Sequence, residues 1–300
     1  WFKASLGILK FLKKQNIKVF VKFHNFRYDC TSSFFKFKHL NGNKFCKACG
    51  FNNTNTIVFN KYFNDSYLKS ILVILFSKKY IKLLETSNFQ ILLLTQFHIE
   101  YIESKNYKFK NLNLFPNYIE VNHHDKIKED FIIYAGRISA EKGIKELIEA
   151  FIDVKYEKKE LYIVGDGPDL KSLKNKYKDF EDIRFFGVLE NNRVHELISK
   201  SKGVVTATKL YEGQPTLLCE ASLMSIPSIF PKSGGIEEFF PTNYFLTYSQ
   251  FDYSELSQKI KEIYSIDDIS SVGLKNQNFI MKKLNKNDLR KKFEEIYEQS

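Results

Sequence analysis

The 300-residue chain is poor in cysteine, with four, and has no uninterrupted apolar run long enough to cross a bilayer. Its most apolar region, residues 71–94, is interrupted by lysine, glutamate and asparagine side chains, which are costly in a bilayer core. We therefore expect a soluble or peripheral protein. Four unevenly spaced cysteines exclude a disulfide framework and indicate a reducing compartment, which predicts a cytoplasmic location.

Ligands for a metal ion are equally scarce. Cys30, Cys46 and Cys49 could bind zinc together with His39, but three thiols cannot complete a four-cysteine site. We favour the alternative that these thiols are reduced and pack against a loop. The sequence also lacks an Asp-x-Asp pair that would hold a divalent ion beside phosphate groups. We therefore predict no metal site and a chemistry that depends on cationic side chains.

Apolar and aromatic residues, in contrast, are abundant, at 43% and 16% of the chain. This content is enough for one or two cores and excludes a disordered protein. Two domains are the natural expectation for a chain of this length. Because residues 123–130 read as a polar linker, we place an N-terminal domain at 1–128 and a C-terminal domain at 129–300, with the last helix packing back on the first domain.

The net charge of +11 is unevenly distributed. Residues 1–130 contain 21 Lys and Arg against 9 Asp and Glu, whereas residues 131–300 contain 25 against 26. This asymmetry suggests an anionic partner for the first part: a membrane surface, a phosphorylated acceptor or a nucleic acid. A biased genome composition explains the same excess equally well. Because no aromatic and basic motif of a known nucleic-acid-binding spacing is present, we predict no nucleic-acid partner.

Short apolar runs alternate with helical patterns in the second part of the chain. Four of these runs are predicted strands: 131–135, 161–165, 183–187 and 204–208. Amphipathic helices are predicted between them, for example over 143–151 and 193–199. Strands without polar alternation, separated by helices, indicate a parallel sheet that is covered on both faces. Because the first part repeats the theme at 17–23 and 91–95, the predicted fold class is α/β, with two doubly wound units facing a cleft.

Cationic residues follow the first strand of the second part. In open parallel sheets, ligands bind at the carboxyl ends of the strands. The loop after 131–135 carries Gly136 and Arg137, and Lys142 follows at the mouth of the next helix. Two cations beside the unpaired N–H groups of a helix N-terminus make an anion site, for which a diphosphate is a suitable ligand. Either cation alone is also explained as a solvated surface residue.

The segment LYEGQPTLLCEA, residues 210–221, places two carboxylates, Glu212 and Glu220, on either side of a turn. The turn consists of Gly213, Gln214, Pro215 and Thr216. Pro215 suits the first position of a helix, whose positive end then points into the same cleft. A carboxylate accepts hydrogen bonds from two neighbouring hydroxyls. The pair therefore fits the ribose and the hexose of a nucleotide-sugar, on either side of its diphosphate.

Together these pieces carry a resemblance to a known family. The GRISAEKG loop, GDGP, EGQPTLLCE, SIPSIF and the turn GGIEE follow one another in an order that resembles family 4 of the retaining glycosyltransferases, which have the GT-B fold. The first part, through VKFHNFRYDC, ILLLTQFHIEYI and FPNYIE, is similar to the acceptor half of these enzymes. The resemblance implies two Rossmann-like domains facing a cleft. The first strand and Gly-rich loop of the family have no counterpart before Trp1, so we expect an N-terminally truncated chain with an incomplete N-terminal domain.

The resemblance also implies roles for individual residues. The implied donor-binding residues are Gly136, Arg137, Lys142, Glu212, Gly213, Gln214, Pro215, Thr216 and Glu220. Arg137 and Lys142 would hold the donor diphosphate, Glu212 would bind hexose hydroxyls, and Glu220 would bind the ribose. His24, just after a predicted strand, would face the sugar across the cleft and complete the catalytic set with Arg137, Lys142 and Glu212. The alternative is that His24 is structural, as a histidine after an apolar strand often is.

These features predict a retaining, metal-independent hexosyltransferase of cell-surface polysaccharide or glycolipid synthesis. Its donor would be a UDP- or GDP-linked sugar, with no other cofactor, and its acceptor a saccharide or a lipid-linked molecule. It would work in the cytoplasm, at the inner face of an anionic membrane. One alternative is a catalytically silent fragment or a basic module that binds a membrane or a polyanion. Another is an NAD-dependent oxidoreductase, which Gly165 and Gly167 suggest, although the third glycine of that fingerprint is missing.

Overall fold

The structure, a computed structural model, describes residues 6–15, 17–26, 66–122, 127–156 and 158–300. The chain divides into two compact units, the first formed by Trp1–Asn117 with Lys286–Ser300 and the second by Tyr118–Asn285. The zinc ligands considered from the sequence, Cys30, Cys46, Cys49 and His39, lie outside the described residues. No helix in the described part of the chain is both long enough and apolar enough to span a membrane.

The first unit contains a parallel sheet of three strands in the order β1-β2-β3. The strands are β1 (Phe20–Phe23), β2 (Gln90–Leu93) and β3 (Asn111–Leu114). Its helices are α1 (Leu6–Lys14), α2 (Tyr67–Glu85), α3 (Gln96–Ser104) and α10 (Lys286–Glu298). The central strand β2 is buried along its whole length, as expected for an apolar strand that has neighbours on both sides.

The last helix, α10, packs on the sheet of the first unit through aromatic rings. The ring of Phe293 lies 5.2 Å from that of Phe20 on β1 and 5.7 Å from that of Phe115, just after β3. The Lys18 ammonium group lies 4.0 Å from the centre of the Tyr297 ring, a cation–π contact. Tertiary packing therefore brings residues from distant parts of the chain into contact within the first unit.

The second unit contains a parallel sheet of six strands in the order β6-β5-β4-β7-β8-β9. The strands are β4 (Phe131–Ala135), β5 (Glu160–Val164), β6 (Ile183–Gly187), β7 (Gly203–Val205), β8 (Ser228–Lys232) and β9 (Thr247–Ser249). The helices are α4 (Ile144–Ile152), α5 (Leu170–Lys176), α6 (Asn191–Lys200), α7 (Thr216–Leu223), α8 (Tyr253–Ser265) and α9 (Ile269–Lys283). All strand pairings are parallel, which confirms the predicted α/β class.

Each face of this sheet carries its own hydrophobic core. On β4, Ile132 and Tyr134 belong to one core, whereas Phe131 and Ile133 belong to the other. Successive side chains of a strand point to opposite faces, so a strand that is buried on both faces reads as a continuous apolar run. The predicted doubly wound arrangement is confirmed. The strand order reverses at β4, which has β5 on one side and β7 on the other, and ligands bind at such switch points.

Candidate functional site

A cavity of about 290 Å³ opens beside β4 and β7 in the second unit. Its walls come from the end of β4 and the loop that follows, the residues after β7, the loop before α7, and the first turn of α7. The lining residues are Tyr134, Ala135, Gly136, Arg137, Lys142, Thr206, Thr208, Glu212, Gln214, Pro215, Thr216, Leu217, Leu218 and Ile236. The sheet therefore places its ligand-sized cavity at the switch point.

Hydrogen bonds fix the backbone that carries Arg137. The buried Tyr134 hydroxyl donates to the Arg137 carbonyl at 2.9 Å, and the Gly136 N–H donates to the Val164 carbonyl at 2.9 Å. Burial, followed by the nearby negative charges of Glu212 and Glu141, raises the pKa of Tyr134. The hydroxyl therefore keeps its proton and remains a donor. The Arg137 loop is thus held from its own strand and from the neighbouring one.

Three of the four charged residues that the sequence predicted to converge, Arg137, Lys142 and Glu212, line this cavity. Lys142 Nζ lies 2.6 Å from Glu212 Oε1, and the Thr208 hydroxyl donates to the same oxygen at 2.9 Å. Lys142 ends a short 3₁₀ turn, and Gly143, with φ of 70°, leads from that turn into α4. The pair offers a cation for an anionic oxygen and a carboxylate for hydroxyl donors. A ligand with both groups side by side, such as a phosphorylated sugar, matches this arrangement.

A glycine turn holds the Glu212 loop in place. Gly234 has φ of 65°, and a Cβ atom there would lie 2.2 Å from the Glu212 carbonyl oxygen. The next residue, Gly235, donates its N–H to that carbonyl at 2.9 Å. The Ser233 hydroxyl donates to the Leu210 carbonyl at 2.7 Å. The GGIEE sequence therefore acts on the cavity in two ways: its glycines fix the backbone of Glu212, and Ile236 is part of the cavity wall.

The N-terminus of α7 forms another wall of the cavity. The sequence predicted Pro215 at the first position of this helix. In the structure the first helical residue is Thr216, and Pro215 lies immediately before the helix. Pro215 has no N–H to leave unpaired in either place. No side chain caps the helix, and its positive end is therefore available to an anion in the cavity.

Two residues of the predicted donor set, Gly213 and Glu220, are not among those that line the cavity. Glu220 Oε1 instead lies 3.9 Å from His195 Nε2 of α6. The Asn122 backbone N–H donates to His195 Nδ1 at 3.5 Å, which leaves the ring proton on the nitrogen that faces Glu220. Burial raises the pKa of the Glu220 carboxyl. The second acid of the motif is therefore set apart from Lys142 and Glu212.

The burial of Glu220 predicts that replacing its carboxyl by an amide stabilises the folded protein, and that the size of this effect depends on pH. With a raised folded-state pKa, the protonated carboxyl contributes stability at low pH, and this contribution is lost as the pH rises through the folded-state value. At pH 8 the folded protein therefore holds a desolvated carboxylate. We expect Glu220→Gln to raise the free energy of unfolding by about 1 kcal/mol, or Tm by about 2–4 °C, at pH 8 and to have a smaller effect near pH 5.

Thermal unfolding at the two pH values measures this effect. Glu181→Gln, at an exposed carboxylate of the same unit, is the matched control and should leave Tm unchanged. A lower Tm of Glu220→Gln at pH 8 would mean that the attraction between Glu220 and His195 outweighs the cost of burying the charge.

His24 follows β1 in the first unit and lies in a basic environment. Burial, and then the charge of Lys22, lowers the pKa of His24. Burial lowers the pKa of Lys22 to about 8, and burial with the charge of His24 lowers that of His98 to about 3. The Phe26 ring stacks on His98 at 4.0 Å. His24 is therefore suited to exchange hydrogen bonds as a neutral imidazole, and its role toward a sugar stays a prediction.

Sequence reasoning missed seven of the lining residues: Tyr134, Ala135, Thr206, Thr208, Leu217, Leu218 and Ile236. Thr206 and Thr208 were assigned to a strand over 204–208, but β7 ends at Val205. Beyond that point the Thr206 N–H still donates to the Ile229 carbonyl at 2.9 Å, but the Thr206 carbonyl accepts from the Tyr248 hydroxyl at 3.1 Å. The polar residues at the end of an otherwise apolar run were the available signal, because carboxyl ends of parallel strands face the ligand.

The glycines that suggested a dinucleotide fingerprint have a packing role. A Cβ atom at Gly165 would lie 1.8 Å from the Gly136 carbonyl oxygen, and one at Gly167 would lie 2.1 Å from the Ile138 carbonyl oxygen. Neither glycine lines the cavity. Their small size lets the loop after β5 pack against the loop that carries Arg137.

Comparisons with known proteins identify the fold and the family of the chain. Amylovoran biosynthesis glycosyltransferase AmsD of Erwinia amylovora is 27% identical over 148 residues, which cover 47% of this chain and 42% of AmsD. Sucrose-phosphate synthase from Thermosynechococcus elongatus has a TM-score of 0.72 at 15% identity and covers 97% of this chain and 69% of its own. The pneumococcal O-GlcNAc transferase GtfA, solved with UDP and GlcNAc, has a TM-score of 0.67 at 18% identity, with 97% and 54% covered.

The structural likenesses show that the fold is GT-B, as predicted. The chain spans less than half the length of the curated relatives it matches. The family model described as glycosyl transferases group 1 matches residues 119–292, which is more than half of the chain and includes every residue of the cavity. The chain therefore belongs to the glycosyl transferases of group 1.

Proposed function

We propose that this chain transfers a hexosyl group from a nucleotide diphosphate sugar to a hydroxyl of a saccharide or lipid-linked acceptor, with retention at the anomeric carbon. The observation that carries the proposal is the contact between Lys142 and Glu212 at the N-terminus of α7, inside the switch-point cavity. A cation and a helix N-terminus suit the diphosphate, and the adjacent carboxylate suits the hydroxyls of the sugar. Retention rests on the resemblance to the retaining family.

The transfer breaks the bond between the anomeric carbon and a diphosphate oxygen, so negative charge develops on the leaving group. Arg137, Lys142 and the N–H groups of α7 stabilise that charge. Glu212 orients the hexose through its hydroxyls while Thr208 holds one of the carboxylate oxygens. Glu220 is assigned to the ribose by the resemblance alone, since it is not among the residues that line the cavity. The acceptor oxygen bonds to the anomeric carbon, and its proton passes to the departing diphosphate, so the products are the glycosylated acceptor and the nucleotide diphosphate.

A uridine or guanosine nucleotide is the proposed carrier of the sugar. GtfA, which shares the fold, was solved with UDP and GlcNAc, and this supports UDP for the present chain. AmsD is named for amylovoran biosynthesis, which supports a role in making a cell-surface polysaccharide or glycolipid. We place the enzyme in the cytoplasm, at the inner face of an anionic membrane. The donor would be its only small-molecule partner besides the acceptor.

Ligand-dependent thermal unfolding tests the donor class. A nucleotide present at a hundredfold excess over its Kd stabilises the folded state by about 2.7 kcal/mol, or about 5–10 °C in Tm. We expect such a shift with UDP or GDP, none with NAD, and a much smaller one in Lys142→Ala. Stabilisation by NAD alone would favour the oxidoreductase alternative. Stabilisation by UDP without release of sugar from any donor would favour the catalytically silent fragment.

Metal independence is a separate proposal. Because Arg137, Lys142 and α7 supply positive charge at the cavity, we expect the transfer rate to be unchanged by EDTA. The rate should be measured with and without the chelator at the same donor concentration. Loss of activity in EDTA, restored by Mg²⁺ or Mn²⁺, would show that a divalent ion takes part.

A further inference from the structure

A second ion pair joins the two chain segments that supply Lys142 and Glu212. Lys209 Nζ lies 2.6 Å from Glu146 Oε1, and the contact between Lys142 and Glu212 has the same length. Glu146 lies in the first turn of α4, four residues after Lys142. Lys209 lies three residues before Glu212. Two ion pairs therefore bridge the same two segments, and we call the one between Lys209 and Glu146 the outer pair.

The outer pair is largely shielded from solvent. Its side chains are 17% and 23% exposed. Burial, and then the charge of Glu146, raises the pKa of Tyr253, which places the carboxylate beside a phenol that keeps its proton. Attraction between opposite charges is stronger where water is partly excluded, and the loss of one partner costs more there than at an exposed pair. The outer pair is therefore able to hold its two segments together.

Backbone contacts restrict the position of Lys209. Its N–H donates to the Glu141 carbonyl at 2.9 Å. The side-chain amide of Gln250 donates to the carbonyls of Thr208 and Leu210, at 3.4 and 3.3 Å. The backbone on both sides of Lys209 is thus fixed, which limits the places that its ammonium group can reach.

The two ion pairs differ in their relation to the cavity. Lys142 and Glu212 line it, whereas Lys209 and Glu146 do not. In the proposed function the diphosphate binds Lys142 and the hexose binds Glu212, so the contact between these two residues is exchanged for contacts with the donor. The outer pair takes no part in this exchange. It can therefore hold the segments together while the exchange takes place.

We propose that Lys209 and Glu146 are positioning residues, whose ion pair fixes the distance between Lys142 and Glu212 while a donor occupies the cavity. Their role in catalysis rests on the proposed function. UDP without a sugar uses the cationic side of the cavity, whereas transfer needs both sides at once. We therefore expect loss of the outer pair to lower turnover much more than it lowers the affinity for UDP.

Hydrogen–deuterium exchange of the whole chain tests the hold on the loop without any donor. In Lys209→Gln we expect the backbone amides of residues 206–214 to exchange about tenfold faster, because the loop opens locally more often. Lys209→Arg keeps the charge and should restore most of the protection. Lys176→Gln is the matched control, because it breaks an exposed ion pair with Glu149 of the same helix α4, and it should leave these amides unchanged. Exchange in Lys209→Gln equal to that in the parent would overturn the proposal.

Turnover and UDP affinity test the role in the proposed reaction. Release of UDP from UDP-glucose and UDP-GlcNAc gives the rate, and a thermal titration with UDP gives the affinity. Lys209→Gln and Glu146→Gln should each lower the rate about tenfold and change the UDP affinity by less than about twofold. The variant with both substitutions should be no slower than either single variant, because each substitution removes the same contact.

Two kinetic results would overturn the positioning role. One is an equal fall in rate and in UDP affinity, since the outer pair would then support the whole cavity. The other is a double variant whose loss is the product of the two single losses, since Lys209 and Glu146 would then act separately. A parent chain that neither binds UDP nor turns over these donors would contradict the proposed function, and the exchange measurement would still decide whether the outer pair holds the loop.

Discussion

Arg137→Ala is expected to lower the turnover of a nucleotide-sugar about 10²- to 10³-fold, because the proposed mechanism uses Arg137 to stabilise the charge that develops on the leaving diphosphate. Lys142→Ala should cause a loss of the same order. The Lys142→Ala variant has a second effect. Lys142 is the cation of the Glu212 carboxylate, so its removal leaves that charge without its ion pair and should also weaken donor binding.

The measurement is the rate of sugar transfer at saturating donor, with the donor affinity taken from separate titrations. Lys145→Ala is a suitable control, since this lysine lies one residue into α4 and pairs with Glu149 on an exposed helix face. Its rate should match that of the parent. An Arg137→Ala enzyme with an unchanged rate would show that Arg137 is a solvated surface residue. It would remove a main support of the proposed chemistry.

Gly143→Ala is expected to cause a large loss of stability for the addition of a single methyl group. Gly143 has φ of 70°, and its added Cβ atom would lie 2.0 Å from the Ala207 carbonyl oxygen, a backbone atom that cannot rotate away. Left-handed strain and the clash together should cost about 3 kcal/mol or more, equivalent to about 6–12 °C in Tm. The adjacent Lys142 would be displaced with the turn.

Gly187→Ala separates the cost of the left-handed backbone conformation from the cost of the steric clash. Gly187 has φ of 69°, almost the same as Gly143, but no atom lies within 4 Å of an added Cβ. Gly187→Ala should lower the free energy of unfolding by about 1 kcal/mol, which is the cost of placing alanine in the left-handed conformation without a clash. Thermal unfolding of both variants gives the comparison. Equal losses at the two glycines would mean that the Ala207 backbone moves readily, and that the loop around Lys142 is less rigid than its packing indicates.

Much of the second unit was predictable because buried parallel strands leave a local signal. The run at 131–135 became β4 with the same bounds, and 183–187 became β6. The helices predicted over 143–151 and 193–199 were found as Ile144–Ile152 and Asn191–Lys200. The residues within a doubly buried strand or an amphipathic helix carry the pattern of that element, so a short stretch of sequence is enough to predict it.

The candidate site was predictable in part. The loop cations and Glu212 could be named because ligand sites follow strand ends, and Pro215 and Thr216 because helix starts have a local signature. Thr208 was not predicted as a site residue, because the sequence placed it inside a strand. In the structure β7 ends at Val205, and Thr208 lies in the following loop, where its hydroxyl donates to Glu212. Tyr134, whose hydroxyl reaches back to the Arg137 carbonyl, was not predicted as a site residue either.

The sequence by itself determined the α/β class of the second unit, the positions of its loops, and which of them carry charge. The tertiary structure decided which charges meet: it paired Lys142 with Glu212 across 70 residues and turned Glu220 toward His195. The reason is physical. Periodicity and turn chemistry act between neighbours in the chain, whereas ion pairs, glycine contacts and exposure depend on segments that only folding brings together.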